Sequence, residues 1–377
     1  MAKILGIDIG YDSVKLALVS GKQVKKTAIA SMPKRLMRDG RLASPEAMGE
    51  LLAQTMKKNG IHCSKAAVAF SNEAVFVRNV TMPVMAAEQL TLNLPYEFRD
   101  YIIEELKNYV FDYAMLSDAV SAAKANSEKS AAKKKEKQPK KAKQNALEAF
   151  EAQADTEAAK SAEVSAAGAS ESATMELLAV AAPMSLMEET RLMLRKAGMK
   201  LTKAAPVVCS FTGLIHNMDP AKKPESGEYC FLDLGYQSIR MYMFKGDRHE
   251  VTRVVESGLS TVDAAIADAY NVDEHLAHTY VVNNFEDCQS QEVCVNAFNN
   301  IAVELMRALN FYRFSNPDSS LSDIWLCGGG AYITPLVAAI ESGLEGMKIH
   351  SAEELMPGGR LLGDSNALVQ AIGITQE

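Results

Sequence analysis

The sequence predicts an α/β protein of two similar lobes, each built from a βββαβ-type unit, with a cleft between them. Two stretches, Ile7-Asp8-Ile9-Gly10-Tyr11-Asp12-Ser13-Val14-Lys15-Leu16 and Leu232-Asp233-Leu234-Gly235-Tyr236-Gln237-Ser238-Ile239-Arg240-Met241, match almost position for position. The order of strand and helix signals around the first stretch recurs from Tyr229 onward, which marks an internal duplication. Late in the chain the apolar run Ile324–Cys327 leads into Gly328-Gly329-Gly330 and a helix-start signal at Thr334-Pro335.

Taken in order, Ile4–Ile9, Val14–Val19 and Val24–Ser31 read as a meander of strands separated by Gly10–Ser13 and Gly21-Lys22. Ser44-Pro45 opens a helix whose Met48, Leu51, Leu52 and Met56 recur at helical spacing, and Gly60 ends it. Ala66–Phe70 is a buried strand. A strand ending at Met82-Pro83, a helix from about Ala87 to Leu106, and an aromatic strand Tyr109–Leu116 follow. Met175–Ala182 predicts another strand, and Leu186–Ala197 a helix closed by Gly198. In the second half, Ser260 and Asp263 form a capping-box-like pair at a helix start. Asn296–Phe314 is a long helix with Ile301, Leu305, Ala308, Leu309 and Tyr312 on its core side. Thr334 is expected as N-cap and Pro335 as the first helical residue of the next.

Residues 118–174 stand apart. They are almost wholly Ala, Ser, Lys, Glu, Gln and Asp, basic from Lys124 to Lys143 and acidic from Glu148 to Glu171. Such a segment cannot bury enough apolar surface to offset its ordering entropy and is expected to be disordered.

Composition excludes several classes. With 377 residues, 48% of them apolar, the chain can bury a sizeable core and hold two or three domains. The net charge of −7 leaves no basic groove for nucleic acid. The six cysteines are scattered and read as reduced core residues, with no zinc spacing. His275 and His278 make an H-x-x-H pair that reads as part of a surface helix. A core strand begins almost at once, so no signal peptide is expected, and no apolar run approaches a membrane span. The expectation is a cytoplasmic protein that reaches a membrane only through a partner.

The two hairpins carry the chemistry. Each reads as a strand, an acidic residue, a glycine turn with a hydroxyl, and a second strand with a basic residue two positions on (Lys15, Arg240). The turn glycine permits positive φ, so successive N–H groups can converge on an anion. Asp8 and Asp233, at strand ends, can hold hydrated Mg²⁺ through water. One Asp-x-Gly hairpin is ordinarily just a turn. Two, one per lobe, point to the phosphates of a nucleotide gripped from opposite sides. The strand, glycine triplet and helix N-terminus at 324–335 let backbone approach a flat ligand, as on the adenine side of such a site.

With those elements in that order, the chain resembles the actin-like ATPase superfamily. Within it, Gly6–Gly10 with Ser13–Lys15, Val75–Pro83 and Glu304–Tyr312 most resemble PilM, the cytoplasmic actin-like component of type IV pilus assembly. The resemblance covers most of the chain outside 118–174. It implies lobe I at 1–72, an inserted subdomain of the PilM and FtsA type at 73–183, a continuation of lobe I at 184–227, lobe II at 228–360, and a C-terminal helix returning to lobe I at 361–377. It further implies ATP and Mg²⁺ as ligands. Gly10, Ser13 and Lys15 would meet the phosphates from one side, and Gly235 and Ser238 from the other. Asp8 and Asp233 would hold the metal. Gly258, Glu304, Arg307, Gly328, Gly329 and Gly330 would complete the nucleotide site.

Tyr11-Asp12 and Tyr236-Gln237 depart from the small residues usual in those turns. A carboxylate such as Asp12 beside a triphosphate costs affinity unless it faces away or meets the metal. No group is placed to orient an attacking water, so binding is expected rather than efficient turnover. The implied partner is the cytoplasmic tail of a PilN-like inner-membrane protein, laid as an extended peptide near Arg78–Pro83 and Tyr96–Leu106. Other pilus inner-membrane components and self-association are further expectations. The competing readings are an FtsA-like or filament-forming actin homologue and a small-molecule kinase. FtsA would need an amphipathic tail, whereas only Ile374–Glu377 follow Gly373. A kinase would need an acceptor-binding insertion and a base.

Overall fold

The computed structural model describes residues 3–33, 36–38, 41–116, 174–356 and 365–376. Apart from Thr174, the segment expected to be disordered lies outside them. Lobe I opens with β1 (Lys3–Ile9), β2 (Ser13–Ser20), β3 (Gln23–Ser31), a short ladder of β4 (Met37–Arg38) and β5 (Arg41–Leu42), α1 (Pro45–Lys58) and β6 (Lys65–Phe70). Next come β7 (Phe76–Pro83), α2 (Ala87–Asn93), β8 (Tyr109–Met115) and β9 (Thr174–Pro183), a separate antiparallel sheet in the order β7-β9-β8. The chain returns through α3 (Met184–Lys196), β10 (Lys200–Pro206) and α4 (Val207–Asn217).

Lobe II repeats the plan with β11 (Glu228–Leu234), β12 (Ile239–Lys245), β13 (Arg248–Val255), three helices α5 (Leu259–Tyr270), α6 (Glu274–Asn283) and α7 (Glu292–Ser315), then β14 (Asp323–Cys327), α8 (Thr334–Gly343) and β15 (Lys348–Ser351). A terminal helix α9 (Val369–Gly373) follows.

The duplication is visible in the strand orders, β3-β2-β1-β6-β10 and β13-β12-β11-β14-β15, which have the same topology. Their first hairpins share one register: Asp8 pairs with Lys15 and Ile9 with Val14, just as Asp233 pairs with Arg240 and Leu234 with Ile239.

Alternation along these strands explains why both are apolar throughout. Val14, Leu16 and Leu18 face α1 and α3, while Ala17 and Val19 face the middle of the molecule. Leu232, Leu234, Met241 and Met243 face the lobe II helices, whereas Phe231, Tyr242 and Phe244 face inward. Period-two side chains with both sheet faces covered give continuous hydrophobic runs. Between the sheets lie α4 and α9. Phe211 of α4 stacks on Phe231, ring centroids 4.5 Å apart. The lobe I sheet offers small residues to this layer (Gly6, Ala17, Ala67, Ala69), so α9 packs almost against its backbone. A Cβ on Gly6 would lie 1.8 Å from the Ala371 carbonyl oxygen.

Three local expectations are corrected. The helix from Ala87 stops at Asn93 and continues only as a 3₁₀ turn, Leu94–Phe98, because Pro95 lacks the N–H an α-helix needs and crowds the preceding turn. Thr334 lies inside α8, with Ile333 as its N-cap residue. Ser260 and Asp263 do not cap α5; Gly258 is the N-cap residue, and Asp263 is fully buried.

β7 and the loop before it are tied to β13 of lobe II. Asn79 Nδ2 donates to the His249 carbonyl oxygen at 2.6 Å, and Asn72 Nδ2 to Thr252 Oγ1 at 3.1 Å. Burial pushes the His249 imidazole down from 6.5 to about 4. A histidine with a depressed folded pKa favours the fold fully above pH 6.5, and that contribution is lost as pH falls through the folded value of about 4. The shift corresponds to about 3 kcal/mol. Urea midpoints should therefore drop over that window in the parent protein and less in His249→Gln. Parallel curves would show that His249 does not set the acid limb.

Candidate functional site

The two hairpin turns and the glycine loop converge at the ends of the central strands. Gly10 N–H donates to the Ser13 carbonyl at 3.0 Å, closing the first turn. Neither Gly10 nor Gly235 has a positive φ, contrary to expectation. Both are required by closeness instead. A Cβ on Gly10 would lie 2.7 Å from Lys15 Nζ, and one on Gly235 would lie 2.6 Å from the Ser238 carbonyl oxygen. The second turn is docked on α5. Leu259 N–H donates to Gly235 O at 3.2 Å and Ser260 N–H to Tyr236 O at 2.8 Å, so hairpin carbonyls satisfy the helix N-terminus. Gly258 allows that approach, because a Cβ there would come within 2.4 Å of Tyr236 O.

Asp8 and Asp233 are both buried and close enough to act on each other. Lys15 Nζ lies 3.5 Å from Asp8 Oδ2. Asp233 accepts from Gln370 Nε2 at 2.7 Å. Burial raises the Asp233 carboxyl above its ordinary value; Arg240 works against this and Asp8 adds to it. Two neighbouring, largely dehydrated carboxylates, one paired with Lys15 and the other acted on by Arg240, form a site where a hydrated divalent cation would offset the remaining repulsion. A directly ligated cage is not present, since no cluster of three or more acidic, histidine or cysteine side chains forms among the described residues.

The glycine loop closes on the same carboxylate. Gly328 has φ +86°, a conformation that glycine alone adopts freely, and a Cβ there would lie 2.5 Å from Asp233 Oδ1. Gly330 abuts Leu234, whereas Gly329 has open space beside it. Glu304 and Arg307 form an exposed ion pair with each other on α7. A cavity of about 390 Å³ opens between the start of α5 and the first half of α7, lined by Ser257, Thr261, Asn296 and Asn300 among others. None of the residues expected from sequence lines it.

The structure adds partners that spacing did not suggest. Arg240 does not face open space: it donates to both oxygens of Glu73 at 2.7 and 2.8 Å, clasping lobe II to the loop before β7. His278 is not a surface residue. Its Nδ1 bonds Asp263 Oδ2 at 2.8 Å, and its Nε2 lies 3.5 Å from Asp12 Oδ1 of the first turn. The carboxylate of Asp12 thus meets an imidazole of the other lobe. Tyr236 packs against the lobe II core, and burial together with the nearby Asp263 carboxylate pushes its hydroxyl pKa up. His275 is exposed. The H-x-x-H spacing does not distinguish these two environments.

Two duplicated sheets that bring a hairpin and a buried carboxylate from each lobe close together define the actin-like ATPase fold. A solved PilM–PilN type IV pilus biogenesis complex matches over 98% of this chain and 97% of its own, at 20% identity and TM-score 0.73. The ethanolamine utilization protein EutJ from Carboxydothermus hydrogenoformans matches over 99% and 89%, at 12% identity and TM-score 0.53. A nucleotide-free diol dehydratase-reactivating factor matches over 99% of both chains, at 11% identity and TM-score 0.52. At these identities the likeness is one of fold. No curated protein sequence matches the chain. The profile of the type IV pilus assembly protein PilM matches residues 6–182 and 163–351. The chain belongs to the PilM family.

Proposed function

We propose that this protein is an ATP-binding scaffold of a type IV pilus or related machine that captures the cytoplasmic tail of a PilN-like inner-membrane protein. The observation that carries the nucleotide part is the pair of hairpins in one register, with Asp8 and Asp233 buried and close enough to act on each other. Gly10, Ser13 and Lys15 would hold phosphates from lobe I, and Gly235 and Ser238 from lobe II. Mg²⁺, held by Asp8 and Asp233 through water, would neutralise phosphate charge. Gly258 and Gly328–Gly330 would frame the nucleoside, with Glu304 and Arg307 at its outer side. Binding that draws the lobes together would make their angle depend on the nucleotide.

Family membership supports the partner, and the inserted subdomain offers it a surface. Tyr96, Tyr101 and Ile103 are exposed there, with the Arg78 guanidinium 3.7 Å from the centre of the Tyr101 ring. Exposed aromatics beside an arginine are typical anchors for a peptide. No helix among the described residues is long and apolar enough to cross a membrane. We place the protein at the cytoplasmic side of the inner membrane through its partner.

Calorimetric titration of the full chain with ATP and Mg²⁺, repeated with a PilN-type tail peptide, tests both parts. Binding of each ligand is expected, and Tyr101→Ala should weaken the peptide alone. Peptide binding without ATP binding would leave an adaptor and reject the nucleotide site.

A further inference from the structure

His278 touches the turns of both hairpins. On the lobe II side its imidazole is fixed: Nδ1 bonds Asp263, whose side chain is 1% exposed, and the ring meets Tyr236 edge-on with centroids 5.3 Å apart. On the lobe I side it is held loosely. Nε2 stands 3.5 Å from Asp12 Oδ1, beyond a good hydrogen bond, and the Asp12 side chain is 41% exposed. A buried carboxylate that accepts the Nδ1–H hydrogen bond leaves Nε2 as the nitrogen that gains or loses a proton.

We propose that His278, positioned by Asp263, is a specificity-determining residue that reads the terminal phosphate of a bound nucleotide, with Asp12 as its counter-anion when no phosphate is there. The inference rests on the nucleotide reading given above. An oxyanion entering between the two turns meets a fixed nitrogen and a half-exposed carboxylate. The carboxylate can rotate into water, and the imidazolium stays to pair with the phosphoryl oxygens. A diphosphate, one phosphoryl group shorter, ends before this point, so the contact separates ATP from ADP.

The charged and titratable groups facing the imidazole are Asp263 from α5, Asp12 from the β1–β2 turn and Tyr236 from the second hairpin, with Glu274 one turn earlier on α6 and also acting on Tyr236. The Asp263 hydrogen bond is the largest influence and raises His278 above its ordinary 6.5; burial opposes it, and Asp12 adds to it. A ligand that prefers the imidazolium binds best below that raised value and loses its advantage as pH rises through it.

The test is calorimetric titration of the full chain with Mg-ATP and with Mg-ADP from neutral to alkaline pH, for the parent, His278→Gln and Asp12→Asn. The parent should prefer ATP less as pH rises. His278→Gln should lose about tenfold in ATP affinity, keep its ADP affinity and flatten the pH dependence of the preference. Asp12→Asn, altered at a half-exposed position, should bind ATP more tightly and ADP unchanged. An ATP-to-ADP ratio unaltered in His278→Gln, or weaker ATP binding by Asp12→Asn, overturns this inference alone. A parent protein that binds neither nucleotide overturns the nucleotide reading and this inference together.

Discussion

Asp8→Asn combined with Asp233→Asn is expected to remove Mg²⁺-dependent nucleotide binding while the two-lobed fold persists. Each carboxylate is on the penultimate residue of its strand, and each is buried where only a ligand or a neighbouring side chain can satisfy it. Loss of a carboxylate that holds an ion through its water shell costs on the order of 10–100-fold in affinity. Two such losses put binding beyond calorimetric reach at ordinary protein concentrations.

The stability effect has the opposite sign for Asp233. Its folded pKa is raised, chiefly by burial, so the ionised form costs stability above the ordinary value of 3.8, and the cost vanishes below it. Asp233→Asn alone should therefore melt higher than the parent at neutral pH, with the gap closing as pH falls toward 3.8. Circular dichroism melts and calorimetry on the same samples check both halves. A double variant that still binds ATP with the same Mg²⁺ dependence would move the site elsewhere. The pair of effects would also show that the site is kept at some expense to the fold, as functional carboxylates commonly are.

Gly6→Ala is expected to be among the most damaging small changes in the chain. In a strand interior, alanine ordinarily stabilises relative to glycine by roughly 0.5–1 kcal/mol. Here its methyl would lie 1.8 Å from the Ala371 carbonyl oxygen and 2.8 Å from Thr375 Cγ2, so α9 must move off the sheet. Overpacking against backbone of this kind costs about 3 kcal/mol. Gln370, adjacent to Ala371, donates to Asp233, so the displacement also strips a partner from the site. A fall in urea midpoint should come with weaker nucleotide binding in the same variant. Gly329→Ala is the control, because its added methyl would have open space and ordinary backbone, and it should leave the midpoint unchanged. A Gly6→Ala midpoint equal to that of the control would mean that α9 is not docked as described.

Much of the architecture is legible in the chain itself because its determinants are local or repeated. Strand alternation, Ser44-Pro45 before α1 and Gly198 after α3 act within a few residues, and the structure has them as expected. The Asp–glycine–hydroxyl pattern sets the same register twice because a two-strand hairpin is closed by its own turn. Local signals misled where two acted on the same residues. The apolar spacing after Ala87 suggests a long helix, but Pro95 ends it. Ser260 and Asp263 have capping-box spacing, but the strand-to-helix turn is capped by Gly258 packed on Tyr236.

The sequence by itself determined the two-lobed α/β class, the duplicated hairpins and the residue types at the cleft, since each follows from periodicity or turn chemistry within one segment. Only the tertiary structure decided what those residues face. Gln370 reaches Asp233 from 137 positions away, and Glu73 holds Arg240 across 167. His278 stands between Asp263 and Asp12, which belong to different lobes. Such pairings depend on how two sheets and the helices between them pack. A side chain's spacing to its neighbours along the chain does not contain that information, and for this reason His278 and the exposed His275 look alike in sequence.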